Sequence, residues 1–223
     1  YLSYGYMEEV AGGKIPAETL RGTGIRFGAV LDEGGGVRPG SDYGIDDKAL
    51  CTIGLCEKGY VDFELSYTAK GGHSSRPGEN FATTMIAKAL IAIQEHPMPY
   101  RVTDTIRRRF GVLAPYMAKE NPELAELLKN PDENLEKLVP YLKKDPALDA
   151  MFHTTVVPTM LSGSAQANIL PAKVTAVVNS RVLEGDTVES VKKHLEEIVP
   201  DEVEVRVLKG SDASPTSLYD GAM

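Results

Sequence analysis

The sequence predicts a mixed α/β protein in two parts: a parallel α/β unit over residues 1–56 and an α+β module over 57–209, interrupted by helices at about 100–150. Three observations carry this. Phe27-Gly28-Ala29-Val30-Leu31 is a continuous apolar run, the pattern of a strand buried on both faces. Val61, Phe63, Leu65 and Tyr67 alternate with Asp62, Glu64, Ser66 and Thr68, the pattern of a strand with one wet face. The 100–150 stretch instead carries Asn121-Pro122, Asn130-Pro131 and Asp145-Pro146, each a capping residue followed by a proline suited to the first helical position.

Taken in order, residues 1–6 form a short β-like run, and Glu8-Glu9-Val10-Ala11-Gly12-Gly13 an acidic loop closed by glycines. A short helix is predicted at 17–22. The buried strand follows, and Glu33 sits just past its carboxyl end, where open α/β sheets bind ligands. Beyond the alternating strand, Gly71-Gly72-His73-Ser74-Ser75-Arg76-Pro77 is a glycine-loosened turn presenting a histidine, two hydroxyls and an arginine. Phe81, Met85, Ile86, Ala89, Leu90 and Ile93 recur at helical spacing, and Pro97 and Pro99 end that helix. Strands are predicted at 154–161 and 173–183. A helix at 187–199 puts Val188, Val191, Leu195 and Ile198 on one face, and Val203, Val205 and Val207 alternate in a last strand. Without the insertion, 57–209 reads β-α-β-β-α-β. This is the ferredoxin-like order: a four-stranded antiparallel sheet with two helices on one face.

Composition excludes some classes. With 42% hydrophobic and 25% charged residues the chain reads as globular. No apolar run approaches the roughly 18 residues that span a bilayer. A net charge of −8 argues against a nucleic-acid partner, which wants a basic face. The compact basic run Arg107-Arg108-Arg109 reads as a solvated helix face. Cys51 and Cys56 fit neither a disulfide framework nor zinc-ligand spacing and are expected to be reduced. The chain opens Tyr-Leu-Ser-Tyr-Gly-Tyr, without an initiator Met or a signal peptide, and is expected to be a piece of a longer protein.

Adjacent carboxylates have one distinctive use: one binds a metal while its neighbour acts as general base on metal-bound water. Glu8-Glu9 permits that, and equally permits an acidic surface loop. Asp32-Glu33 is better placed, at a strand end. Spacing alone establishes no metal, since His73, His96, His153 and His194 show no local ligand pattern. His73 by itself also fits a solvated loop histidine. Asn168, in the polar link 163–171, fits a turn asparagine. Arg181 interrupts an apolar strand, so it either faces solvent or pairs with an anion; a guanidinium fork suits a carboxylate in two-point contact.

Four segments in order resemble the M20 family of zinc peptidases: Gly5-Tyr6-Met7-Glu8-Glu9, Leu31-Asp32-Glu33-Gly34-Gly35, Gly72-His73-Ser74-Ser75, and Asn168-Ile169-Leu170-Pro171 running on to Asn179-Ser180-Arg181. Within it, the chain is most similar to the branch of Gly-Xaa carboxypeptidases (carboxypeptidase S) and N-acyl-amino-acid hydrolases, which Thr154-Thr155-Val156-Val157-Pro158-Thr159 and the helical insertion also resemble. The resemblance implies a partial zinc-peptidase α/β catalytic domain over 1–56, a ferredoxin-like α+β lid (dimerisation) domain over 57–209, and a return to the catalytic domain at 210–223. It implies hydrolysis of an amide bond next to a free carboxylate, in a dipeptide or N-acyl amino acid, with two zinc ions per active site or another divalent metal. Glu8 resembles the general base, and Glu9 and Glu33 resemble metal ligands. His73 resembles the lid histidine that polarises the scissile carbonyl, in many members across the dimer. Asn168 and Arg181 resemble substrate-binding residues, with Arg181 taking the free carboxylate.

The expected partners are that substrate and a second copy, giving a homodimer through the lid, with no nucleic acid and no membrane. The compartment stays open, with the cytoplasm favoured. The family's upstream His-x-Asp segment, its bridging aspartate and its late histidine ligand are not in this sequence, and Tyr6-Met7 stands where the branch often has His-Asp. Three of the family's usual five ligand positions therefore lie outside the chain, which alone is expected to be inactive. The second reading is an isolated dimerisation or interaction module without catalysis.

Overall fold

The computed structural model describes residues 18–25, 36–43, 45, 48–117, 119 and 121–217. The chain divides into two compact units, residues 1–34 with 219–223 and residues 35–218. Of the first, the described part is a helical turn at 18–21, within the helix predicted at 17–22. Thr23 N donates to Leu20 O (3.0 Å), and Gly24 ends the turn at φ 71°. Glu8, Glu9, Glu33 and the strand predicted at 27–31 lie outside the described residues.

The larger unit opens with β1 (Gly36–Pro39) antiparallel to β2 (Ala49–Thr52), with a 3-10 turn at Gly40–Tyr43 between them. Then come β3 (Gly59–Thr68), β4 (Gly72–His73), α1 (Ala82–Glu95), α2 (Asp104–Met117), α3 (Pro122–Lys129), α4 (Pro131–Leu142) and α5 (Pro146–Phe152). The chain continues through β5 (Thr155–Ser162), β6 (Ile169–Leu170), β7 (Lys173–Val182), α6 (Val188–Ile198) and β8 (Glu204–Ser211). The main sheet has the order β5-β7-β3-β8, and every neighbour is antiparallel. With α2–α5 set aside, this is the β-α-β-β-α-β arrangement expected from the alternation.

Side-chain period decides which face is covered. Val61, Phe63 and Leu65 of β3 and Val174, Ala176 and Val178 of β7 point to one side and are buried. There they meet Ile86, Ala89 and Ile93 of α1 and Val191 and Leu195 of α6. The intervening residues Tyr60, Asp62, Asn179 and Arg181 are left on the opposite, polar face. A capping box between Thr187 and Ser190 starts α6.

The insertion has a core of its own, formed by Ile106, Phe110, Ala114, Leu128, Leu138, Leu142 and Phe152. Pro122, Pro131 and Pro146 each occupy the first helical position as predicted, but only two of the three capping side chains act. Asn121 accepts from Leu124 N (3.1 Å), and Asp145 from Ala147 N and Leu148 N. Asn130 closes α3 while opening α4, and its side chain makes no cap. The arginine run is not uniformly solvated, which corrects the sequence reading. Arg107 is exposed and pairs with Asp104 and Asp132, whereas Arg109 is half-buried over the Tyr43 ring.

The insertion is clamped to the sheet at its base. Arg101 N donates to Phe152 O (2.7 Å). The buried Asp186 accepts from the Arg101 guanidinium and from Thr154 Oγ1, while Thr154 Oγ1 accepts from Leu183 N (2.8 Å). Lys58 Nζ donates to Ala150 O (2.7 Å) and His153 O (2.8 Å). Burial lowers the Lys58 amine to about 8, with the Arg181 charge acting in the same direction and Asp186 against it.

Candidate functional site

At one end of the sheet the β3–β7 ladder runs on into a two-stranded ribbon. Ala69 N donates to Ala172 O (2.8 Å), and β4 pairs β6 with Gly72 opposite Leu170 and His73 opposite Ile169. The ribbon turns on Gly71 and Gly72, at φ 69° and 150°, a backbone region that favours glycine. Ser74 N donates to Asn168 O (3.0 Å), which brings the two exposed side chains of His73 and Asn168 together at the tip.

The local chain fixes the chemistry of His73. Ser75 N donates to His73 Nδ1 (3.2 Å), and Ser75 Oγ lies 2.8 Å from the same atom. The neutral ring therefore carries its proton on Nε2, which points outward as a donor. Asn168 Nδ2 lies 3.3 Å from Nε2; facing an N–H, the amide presents its oxygen instead. A cavity of about 580 Å³ opens beside the ribbon, bordered by Tyr67, Lys70, Arg76, Glu79 and Phe81.

Arg181 is elsewhere. It is exposed on the polar face, opposite Tyr60 near the other end of β3, with its guanidinium carbon 4.8 Å from the Tyr60 ring centroid. Tyr60 OH donates to Asp62 Oδ2 (2.8 Å), and Asn179 Nδ2 to Asp62 Oδ1 (2.8 Å). Burial alone would raise the Asp62 carboxyl, but these two hydrogen bonds and the Lys209 charge hold it below its ordinary value. Among the described residues Arg181 has no carboxylate partner, so its fork is open to an anion. Eight strand steps separate Arg181 from Lys173, where the ribbon begins, a span of about 27 Å.

Of the six site residues expected from sequence, the structure thus joins His73 with Asn168 and holds Arg181 apart. Sequence reasoning missed Tyr60, and gave Asp62 only as a wet-face residue and Ser75 only as a hydroxyl of the glycine turn, with no site role for either. Asp62 was legible as the wet face of a strand, but the register that sets it and Tyr60 beside Arg181 was not. Among the described residues no three His, Cys, Asp or Glu side chains could hold a metal ion together.

The chain is 29% identical to an N-fatty-acyl-amino acid synthase/hydrolase from Danio rerio, over 99% of this chain and 43% of that protein. It is 27% identical to a probable carboxypeptidase S-like protein from Dictyostelium discoideum, over 91% of this chain and 39% of that one. It thus spans less than half the length of the relatives it matches. Among solved structures it is similar to an M20 family metallo-carboxypeptidase from Sulfolobus solfataricus, at 18% identity and a TM-score of 0.44, covering 74% of this chain and 46% of that one. The model of the peptidase dimerisation domain of the M20 peptidases matches residues 56–206, well over half of the sequence, and the chain belongs to that family.

Proposed function

We propose that this chain is the lid-bearing part of a longer divalent-metal hydrolase that cleaves an amide bond next to a free carboxylate, in a dipeptide or an N-acyl amino acid. The observation that carries the reading is the ribbon tip, where Ser75 leaves the His73 proton on the exposed Nε2 beside the Asn168 amide, an N–H that a substrate oxygen would take over from Asn168. Family membership implies divalent metal use in general. A pair of zinc ions held in part by Glu9 and Glu33 would supply Lewis-acid polarisation and a water of lowered pKa. Glu8 takes the proton from the attacking water and passes it to the leaving amine as the C–N bond breaks. His73 donates to the carbonyl oxygen as charge grows there. Arg181 holds the free carboxylate.

These roles need two copies. A dipeptide reaches about 7 Å when extended. Arg181 of one chain lies about 27 Å along the ladder from Lys173, where the ribbon that carries His73 begins, so one chain does not bring both side chains to it. Two chains can, with His73 and Asn168 from one lid and Arg181 from the other. The edge strand β5 favours such pairing. It carries no charged residue and exposes Val157, Met160 and Leu161, and Ile91 of α1 is exposed too. The opposite edge, β8, is guarded by Arg206 and Lys209.

Mixing two inactive variants of the full-length protein tests this. His73→Ala and Arg181→Ala dimers, each nearly inactive, should regain activity on N-acyl amino acids after subunit exchange, because mixed dimers hold one intact site. Exchange proven by mass labelling without recovered activity would sink the shared site.

A further inference from the structure

We propose that the helical insertion holds a second ligand site, for the alkyl chain of a monocarboxylate, distinct from the ribbon and from Arg181. A cavity of about 290 Å³ lies between α2, α3, α5 and the turn at Gly40–Tyr43. That is close to the lower end of the roughly 300–1,000 Å³ range of small-molecule clefts. Phe110, Leu113, Met117, Leu124 and Met151 wall it. The two thioether chains let the wall adapt to a flexible ligand.

The polar groups around it are mostly committed. Asn121 and Asp145 are engaged in capping α3 and α5. Arg109 is the exception. Its Nε is buried and, among the described residues, has no hydrogen-bond partner, while its guanidinium carbon lies 5.5 Å from the Tyr43 ring centroid. Native proteins rarely leave a buried donor without an acceptor. An apolar wall beside an unsatisfied cationic donor fits a chain ending in an oxygen anion. Asp42 and Asp145 also border the cavity, but both are exposed and water screens them. The half-buried Arg109 guanidinium lines the cavity without an ion pair among the described residues, and its charge, less screened than theirs, sets the sign of the head group.

The test titrates decanoate into the chain and follows the methyl signals of Met117 and Met151. We expect saturable shifts at both. Arg109→Gln should weaken decanoate binding roughly tenfold or more, the range of one hydrogen bond to a charged group. Decanol should bind the unaltered chain correspondingly more weakly. Leu113→Trp, which fills the cavity, should remove the shifts; if that variant does not fold, the decanol and Arg109→Gln arms decide alone. The proposal is overturned by no saturable shift, by equal binding of decanol, or by unchanged binding in Arg109→Gln. An equal shift at the exposed Met160 would mark mere surface adsorption and overturn it as well. No readout depends on hydrolysis, so the outcome is independent of the proposed activity.

Discussion

Gly71 and Lys58 are the residues whose environments make the sharpest demands. A Cβ on Gly71 would meet Leu170 O at 3.1 Å and the Ala172 Cα at 3.2 Å, at φ +69°. Gly71→Ala should therefore destabilise the fold by about 1–2 kcal/mol, the penalty of a left-handed conformation for a residue with a side chain. It should also shift the His73 ring resonances, which depend on the ribbon's turn. Urea unfolding and histidine NMR measure both, and a variant matching the parent in each would contradict the tight turn. Lys58 makes a prediction about pH. Its amine is lowered to about 8 from an ordinary 10.5 by burial. Between those values the folded state binds fewer protons than the unfolded one, so stability should rise with pH across that window. Below about 8 the burial penalty of the charged amine is fully present. The neutral amine still has two N–H groups for Ala150 O and His153 O. Denaturant midpoints across this window should climb more in the parent than in Lys58→Met; parallel curves would refute the assignment.

At the level of elements, the join between insertion and sheet depends on Asp186. Asp186→Ala strands the Arg101 charge and Thr154 and should cost about 3 kcal/mol, the low end for a buried pair because Arg101 is one-third exposed. Equilibrium unfolding reads this directly, and a loss under 1 kcal/mol would mean water replaces the carboxylate. The elements themselves divide sharply in how legible they were. β3, β7, α1 and α6 were readable because long segments repeat their period many times. Asn121 and Asp145 were readable as caps because a cap is a local sequence event. The ribbon was not, since two-residue strands carry no periodicity, and the meeting of His73 with Asn168 spans a gap that no spacing rule crosses. The inward turn of Arg109 was likewise hidden. Three successive arginines look alike until the phase of α2 against its neighbours is known. Arg101, Thr154 and Asp186 are far apart in sequence, and only the closed sheet brings them together.

For the molecule as a whole, the asymmetry between its two sheet edges carries the prediction. Met160 is 67% exposed on β5, where Val157 and Leu161 are exposed as well. If the proposed pairing through β5 holds, Met160→Lys puts a charge on that strand and should leave a monomer by light scattering where the parent gives a dimer, with little change in the far-ultraviolet spectrum of the fold. The mirror change on the already charged β8, Leu208→Lys, should leave the dimer intact. If both variants dimerise like the parent, the partner sits elsewhere. No helix among the described residues is long and apolar enough to cross a membrane.

The base of the insertion has one more implication. Arg101 N and Phe152 O are 2.7 Å apart, so the chain leaves the sheet and returns to it at neighbouring points. Because the helices between them fill a core separate from that of the sheet, they behave as a cassette held at its base, with the Arg109–Tyr43 contact as a second hold. Such a cassette can be shortened, exchanged or grafted without disturbing strand order, and a new binding chemistry can be trialled in it while the scaffold beneath keeps its shape.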